Sequence, residues 1–134
     1  MDGKMKFHHI GIATVDMDEM LQHLYRILDI ANVTEPVYDK NQDATLCMVT
    51  LKDGIKMELV SGEVVKGILK KRRFLYHTCF SVKDLEQTVR NLVEEGYVQV
   101  TQIKEAVLFQ KRKVCFLSGE LGLIEFLEEE EKED

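Results

Sequence analysis

The chain is short of most things that would announce a special habitat. It has one proline, Pro36, in 134 residues, and three cysteines with no Cys-x-x-Cys pair among them. That spacing excludes a zinc ribbon. An odd count of cysteines, each in a strand-like run (Cys47, Cys79, Cys115), reads as buried free thiols in a reducing compartment. No apolar run approaches the ~18 residues of a membrane span. The first residues, Met1-Asp2-Gly3-Lys4, lack the anatomy of a signal peptide. A cytoplasmic protein with no membrane partner is therefore expected. Nor is there a basic surplus. The net charge is -6, but residues 128–134 hold six acidic groups and one lysine, so the rest stands near -1. Nucleic acid is accordingly not an expected partner. The acidic end from Glu128 onward has no apolar residues and is expected to be dispensable for folding.

What is present is a repeat. Phe7-His8-His9-Ile10-Gly11-Ile12-Ala13 alternates as a strand does. Parity puts His9, Gly11 and Ala13 on one face and Ile10 and Ile12 on the other. A histidine with two very small neighbours lines a space, because a packed face wants bulk. Tyr76-His77-Thr78-Cys79-Phe80-Ser81-Val82 repeats the device 68 residues later, with His77, Cys79 and Ser81 on one face.

The same elements follow each copy in the same order. Asp16 with Glu19, and Asp84 with Gln87, have capping-box spacing. Met20, Leu24, Ile27 and Leu28, widened by Leu21 and Tyr25, form the apolar stripe of the first helix. His23 falls on its other side. Leu85, Thr88, Val89, Leu92 and Val93 form the second stripe, which Gly96 ends. The stretch 32–40, which holds Pro36, reads as a short strand or loop, and 97–103 reads as a strand. Residues 45–51 and 55–60 then form a hairpin around Lys52-Asp53-Gly54, and 113–117 and 122–127 form its counterpart around Ser118-Gly119-Glu120. Val64, Val65, Ile68 and Leu69 suggest a short helix between the copies.

Each copy is thus β-α-β-β-β, opening on a histidine strand and closing on a glutamate strand. The last strands carry Glu58 and Glu125, each between two apolar neighbours. A carboxylate so placed is costly unless paired or bound to a metal. Neither copy is large enough to bury its sheet alone, so the two must pair. The expected fold is α+β: two β-α-β-β-β modules, residues 6–61 and 76–128, pairing into a curled mixed sheet around a metal cavity. Residues 62–75 supply the linking helix and 129–134 an acidic tail. The four-residue set His9, Glu58, His77 and Glu125 is expected to bind one divalent metal ion.

With His9-Ile10-Gly11-Ile12-Ala13, Met57-Glu58-Leu59-Val60, His77-Thr78-Cys79-Phe80-Ser81-Val82 and Ile124-Glu125-Phe126-Leu127, the repeat resembles the vicinal oxygen chelate superfamily over residues 6–128. That family includes glyoxalase I, methylmalonyl-CoA epimerase, extradiol dioxygenases and antibiotic-resistance proteins. By resemblance, His9, Glu58, His77 and Glu125 fall on its metal-ligand positions. Two imidazoles and two carboxylates suit Zn, Ni, Co or Mn. A fourth protein ligand argues against the iron dioxygenases, and the presence of a metal set argues against the antibiotic binders.

The resemblance implies an isomerase or epimerase that takes a proton from the carbon next to a metal-bound carbonyl, with Glu125 as both ligand and base. The alternatives are a glyoxalase I-like lactoylglutathione lyase, using glutathione or another thiol, and a non-catalytic metal or small-molecule binding protein. Ala13 stands where glutathione-dependent members carry an arginine. Asn41-Gln42-Asp43 stands where the epimerases carry a second catalytic glutamate, so Asp39 or Asp43 is expected to substitute. Asp39, Asp43 and Lys113 are expected at the substrate. That substrate is a small molecule, and a CoA thioester is the form the resemblance favours. Lys70-Lys71-Arg72-Arg73 is either a contact for its phosphates or a solvated helix end that complements the helix dipole. A homodimer is expected.

Overall fold

The computed structural model describes residues 4–130. The chain divides into two units, one of residues 9–76 and one of residues 77–130 together with the segment before His9. The two are built alike.

In the first unit, β1 (Lys6–Ala13) leads into α1 (Met17–Ile27). Asp16 caps that helix: its Oδ1 accepts from the Glu19 amide at 3.0 Å. β2 (Ile30–Val33) and β3 (Val37–Asp39) then pair with the same neighbour, β4 (Ala44–Leu51). The stretch expected to be a short strand or loop is two short strands with a break near Pro36, which has no amide to give a ladder. β4 turns back into β5 (Lys56–Ser61), and β5 lies parallel to β1. The turn needs Gly54, whose φ is +94°. α2 (Glu63–Lys70) follows and buries Val65.

The second unit repeats the plan. β6 (Leu75–Val82) leads into α3 (Leu85–Glu94), capped by Asp84 through the Gln87 amide at 3.1 Å. β7 (Val98–Gln99) and β8 (Lys104–Ala106) both pair with β9 (Arg112–Gly119), which turns back into β10 (Gly122–Glu128), parallel to β6. The expected strand over 97–103 is cut to two residues. The amides of Val100 and Thr101 both reach the Phe116 carbonyl, so the chain bulges there. A single 3-10 turn at Val107–Phe109 was not foreseen.

The sheet in each unit is mixed and open, with its helix on one face. α1 lays Met17, Met20, Leu21, Leu24 and Leu28 on Ile12, Cys47, Val49 and Leu59. α3 lays Leu85, Val89 and Leu92 on Val82, Cys115, Leu117, Ile124 and Phe126. Fully burying one such side chain stabilises the fold by ~1.5–3 kcal/mol. The expected stripe of α1 was too wide: Tyr25 and Ile27 are 60% and 59% exposed. The register of Met17, Leu24 and Leu28 turns them outward.

β10 also runs one residue past the expected core. Glu128 ends the strand, its carbonyl accepts from Arg112 Nε at 2.9 Å, and its Oε2 accepts from the Leu85 amide at 3.4 Å. The start of the acidic end is thus tied into the second unit. Residues 131–134 lie outside the described residues.

Candidate metal centre

Parity sets the site in each unit. On β1, His9, Gly11 and Ala13 point away from α1 and are buried. On β5, Leu59 belongs to the helix-side core, so Glu58 points the other way, with His9. Gly11 stands directly beside Glu58 in the parallel register. His9 Nε2 lies 3.7 Å from Glu58 Oε1, and both side chains are fully buried.

The second unit has the same arrangement. His77, Cys79 and Ser81 are buried on the face of β6 away from α3. Ile124 and Phe126 belong to the helix-side core, which leaves Glu125 on the face of His77. Cys79 stands beside Glu125, and His77 Nε2 lies 3.2 Å from Glu125 Oε1, again with both side chains fully buried. The Phe116 ring meets the His77 ring edge to face, with centroids 5.2 Å apart.

Each unit thus presents one imidazole and one carboxylate, buried and in register. Burying a carboxylate is costly without compensation, and a neutral imidazole beside it does not neutralise it. A nitrogen-and-carboxylate donor set of this kind suits a divalent first-row ion. The residues present fit such a metal.

The other residues singled out in the sequence fall in different places. Asp39 pairs with Ala44 on β4, and Met48, two alternations further along, pairs with Glu58. Asp39 therefore points to the face of Glu58, and it is fully buried. Its carboxylate accepts from the Asn41 amide at 2.9 Å and from Gln42 Nε2 at 3.2 Å. Asp43 is exposed, at φ +52°, and accepts from Tyr38 Oη at 2.7 Å. That bond holds the tyrosine above its ordinary pKa. Lys113 is exposed on the face of β9 that carries Cys115 and Leu117, opposite to Phe116, so the structure does not bring it to the His77–Glu125 pair. His23 is exposed on α1.

Sequence reasoning missed two threonines. Thr34 and Thr101 sit in the breaks of the second strands, 67 residues apart, and each ties into the strand next to the glutamate. The repeat itself was the available signal, since both precede the matched cysteines by a similar interval.

The family model described as the glyoxalase/bleomycin resistance protein/dioxygenase superfamily matches residues 8–116. The chain belongs to that superfamily. The match takes in His9, Glu58 and His77 and ends before Glu125. No curated protein matches the sequence.

Among solved structures, methylmalonyl-CoA epimerase from Mycobacterium tuberculosis aligns at 18% identity and a TM-score of 0.80, over 94% of this chain and 89% of that one. A hypothetical protein from Bacillus halodurans aligns at 20% identity and a TM-score of 0.78, over 100% and 99%. A glyoxalase I variant from Zea mays aligns at 17% identity and a TM-score of 0.66, over 98% of this chain and 46% of its own. At these identities the likeness is one of fold. It agrees with the α+β class read from the sequence.

Proposed function

We propose that His9, Glu58, His77 and Glu125 together hold one divalent metal ion, and that the protein is a metal-dependent isomerase or epimerase acting beside a carbonyl. One observation carries the reading. In each unit a fully buried imidazole stands within 3.7 Å (His9–Glu58) or 3.2 Å (His77–Glu125) of a fully buried carboxylate, at matching register. When bound, the ion supplies Lewis acidity for a carbonyl oxygen, which stabilises the charge left when the neighbouring C–H ionises.

The chain's own residues do the rest. Glu125 accepts the proton from carbon. Glu58 serves as a ligand. Gly11 and Ala13 leave room beside Glu58, while Cys79 and Ser81 bring a thiol and a hydroxyl to the second face. Asp39 is the better placed of the two candidate second carboxylates, because it is buried on the face of Glu58 while Asp43 is exposed. With Asp39 accepting or returning a proton, the reaction is a two-base epimerisation. Without it, the reaction is a one-base isomerisation.

The substrate we favour is a CoA thioester. Methylmalonyl-CoA epimerases recur among the structural neighbours, one of them in complex with 2-nitronate-propionyl-CoA. The exposed cations Lys70, Lys71, Arg72 and Arg73 at the end of α2 offer partners for phosphates. No helix among the described residues is long and apolar enough to cross a membrane.

The test is a metal analysis of the purified protein, followed by a deuterium wash-in screen over thioester and 2-oxo substrates, run without added thiol. One equivalent of a divalent ion and thiol-independent exchange at the α-carbon are expected. Exchange that requires glutathione or another thiol would redirect the reading to a glyoxalase-like lyase. Metal without any exchange would leave a binding protein.

A further inference from the structure

The two units share a second device, set in the broken strand next to each glutamate hairpin. Thr34 donates its amide to the Met48 carbonyl at 2.9 Å, and the Met48 amide donates to Thr34 Oγ1 at 2.8 Å. In a regular ladder the returning bond would go to a backbone carbonyl. Here the threonine hydroxyl has taken that place, and the displaced Thr34 carbonyl accepts from Cys47 Sγ at 3.1 Å.

The second unit repeats the arrangement. The Thr101 amide reaches the Phe116 carbonyl at 3.3 Å, and the Phe116 amide reaches Thr101 Oγ1 at 3.0 Å. The Thr101 carbonyl accepts from Cys115 Sγ at 3.2 Å and from Gln99 Nε2 at 3.0 Å. The intervals differ, 13 residues from Thr34 to Cys47 and 14 from Thr101 to Cys115, yet the bonds are the same. The loops have drifted and the device has not.

Its position gives it a consequence. Met48 is the residue directly opposite Glu58, and Phe116 the residue directly opposite Glu125. Phe116 also carries the ring that meets His77. In each unit the chain of contacts therefore runs from thiol to threonine, then to the residue facing the glutamate, then to the glutamate. The cysteine side chain lies on the helix side of the sheet and its neighbour on the glutamate side. One dipeptide thus joins the packed core to the buried pair.

We infer that Thr34 with Cys47, and Thr101 with Cys115, are positioning residues that fix the strand next to each glutamate and so set the geometry of the metal ligands. The inference rests on the metal reading above. None of the four touches the ligands; they act through Met48 and Phe116.

The test uses the full chain stripped of metal. Zn²⁺ affinity is measured by competition with a chromogenic chelator, the absorption spectrum is recorded with Co²⁺, and the apo protein is unfolded with urea. Thr101→Val removes the hydroxyl acceptor at nearly constant volume, and Thr101→Ser keeps it. Cys115→Ala removes the donor, and Cys115→Ser restores one.

The expected result is a loss of ~10-fold or more in Zn²⁺ affinity for Thr101→Val and Cys115→Ala, with altered Co²⁺ bands, and recovery in both serine variants. Thr34→Val should act likewise in the other unit, so the test survives if one valine variant does not fold. Unchanged affinity and spectra in folded Thr101→Val or Thr34→Val, with only the urea midpoint lowered, would reduce the device to a structural clip and overturn the inference. So would a Thr101→Ser variant that folds but stays weak. A wild-type chain that binds neither Zn²⁺ nor Co²⁺ would instead sink the metal centre itself.

Discussion

The first module faces Glu58 with Gly11 on one side and Met48 on the other, whereas the second faces Glu125 with Cys79 and Phe116. The helix sides of the two modules share three devices. Both have an aspartate cap, a cysteine at the matched place in the first strand of the hairpin and a threonine that bonds it. On the opposite face, Gly11, Ala13 and Met48 of the first module correspond to Cys79, Ser81 and Phe116 of the second, which bring a thiol, a hydroxyl and an aromatic ring. The imidazole–carboxylate distance also differs, 3.7 Å against 3.2 Å. The repeated features build the fold, and the broken ones make the two imidazole–carboxylate pairs unequal. On the proposed reading, that inequality decides which carboxylate meets the proton leaving carbon.

The largest expected effect tests whether Glu58 and Glu125 are chemically unequal. Glu125→Gln can keep an oxygen ligand but cannot accept a proton. Exchange of the substrate α-proton with deuterated solvent should fall by ~10²–10⁴-fold, the usual share of a general base. Glu58→Gln at saturating metal should lose much less. Equal losses in the two variants would erase the distinction, and a larger loss in Glu58→Gln would move the base to the first module.

A smaller effect probes the sides that look alike. Leu59 and Phe126 are fully buried under α1 and α3 in turn. Leu59→Ala should cost ~2–5 kcal/mol and Phe126→Ala ~3–5 kcal/mol in urea unfolding. If either variant melted one module and left the other folded, as read by hydrogen exchange, the modules would be independent folding units.

The two clip cysteines give a pH signature. Burial pushes both the Cys47 and Cys115 thiols above the ordinary thiol value of 9.0. The folded state favours the protonated thiol. The stability each confers is therefore whole below that ordinary value and is lost as pH rises through the raised one. Urea midpoints of the wild type should fall on the alkaline side, and the fall should be shallower in Cys47→Ala and Cys115→Ala at the same pH. Parallel curves would mean that the thiols do not titrate with unfolding.

Much of this was legible in the sequence because it is periodic. The two histidine strands, the two caps and the two glutamate strands recur at 67 or 68 residues, and each has a local signature. The inner face of β1 followed from parity alone. What escaped reading was set by tertiary contact. Ile27 looks apolar at helical spacing, but only packing decides which edge of a wide stripe meets the sheet. Residues 97–103 alternate well enough for a strand, yet two amides sharing one carbonyl cut it short, and no local pattern encodes a partner 15 residues away. Lys113 was placed at the substrate by resemblance, and counting parity from Phe116 would have turned it to the other face.

The smallest effect concerns the two helix N-termini, which the sequence makes equal and the structure does not. Among the described residues, one side-chain acceptor serves the start of α1: its N-cap Asp16, reached by the Glu19 amide at 3.0 Å. α3 has Asp84, reached by the Gln87 amide at 3.1 Å, and also Glu128, whose Oε2 lies 3.4 Å from the Leu85 amide. Unsatisfied amides at a helix start favour any nearby negative oxygen. Removing one of two acceptors should therefore cost less than removing the only one. Asp16→Ala should cost ~1 kcal/mol, and Asp84→Ala noticeably less, with Glu128 still in place. Combining Asp84→Ala with Glu128→Ala should raise the cost above the sum of the singles, since the two share one helix end. The same logic divides the acidic end of the chain. A chain ending after Glu130 should unfold at the wild-type urea midpoint, whereas one ending after Leu127 also loses the Arg112 contact to the Glu128 carbonyl and should unfold earlier. Equal midpoints for the two truncations would show that Glu128 adds nothing to α3, and the two helix ends would be equal after all.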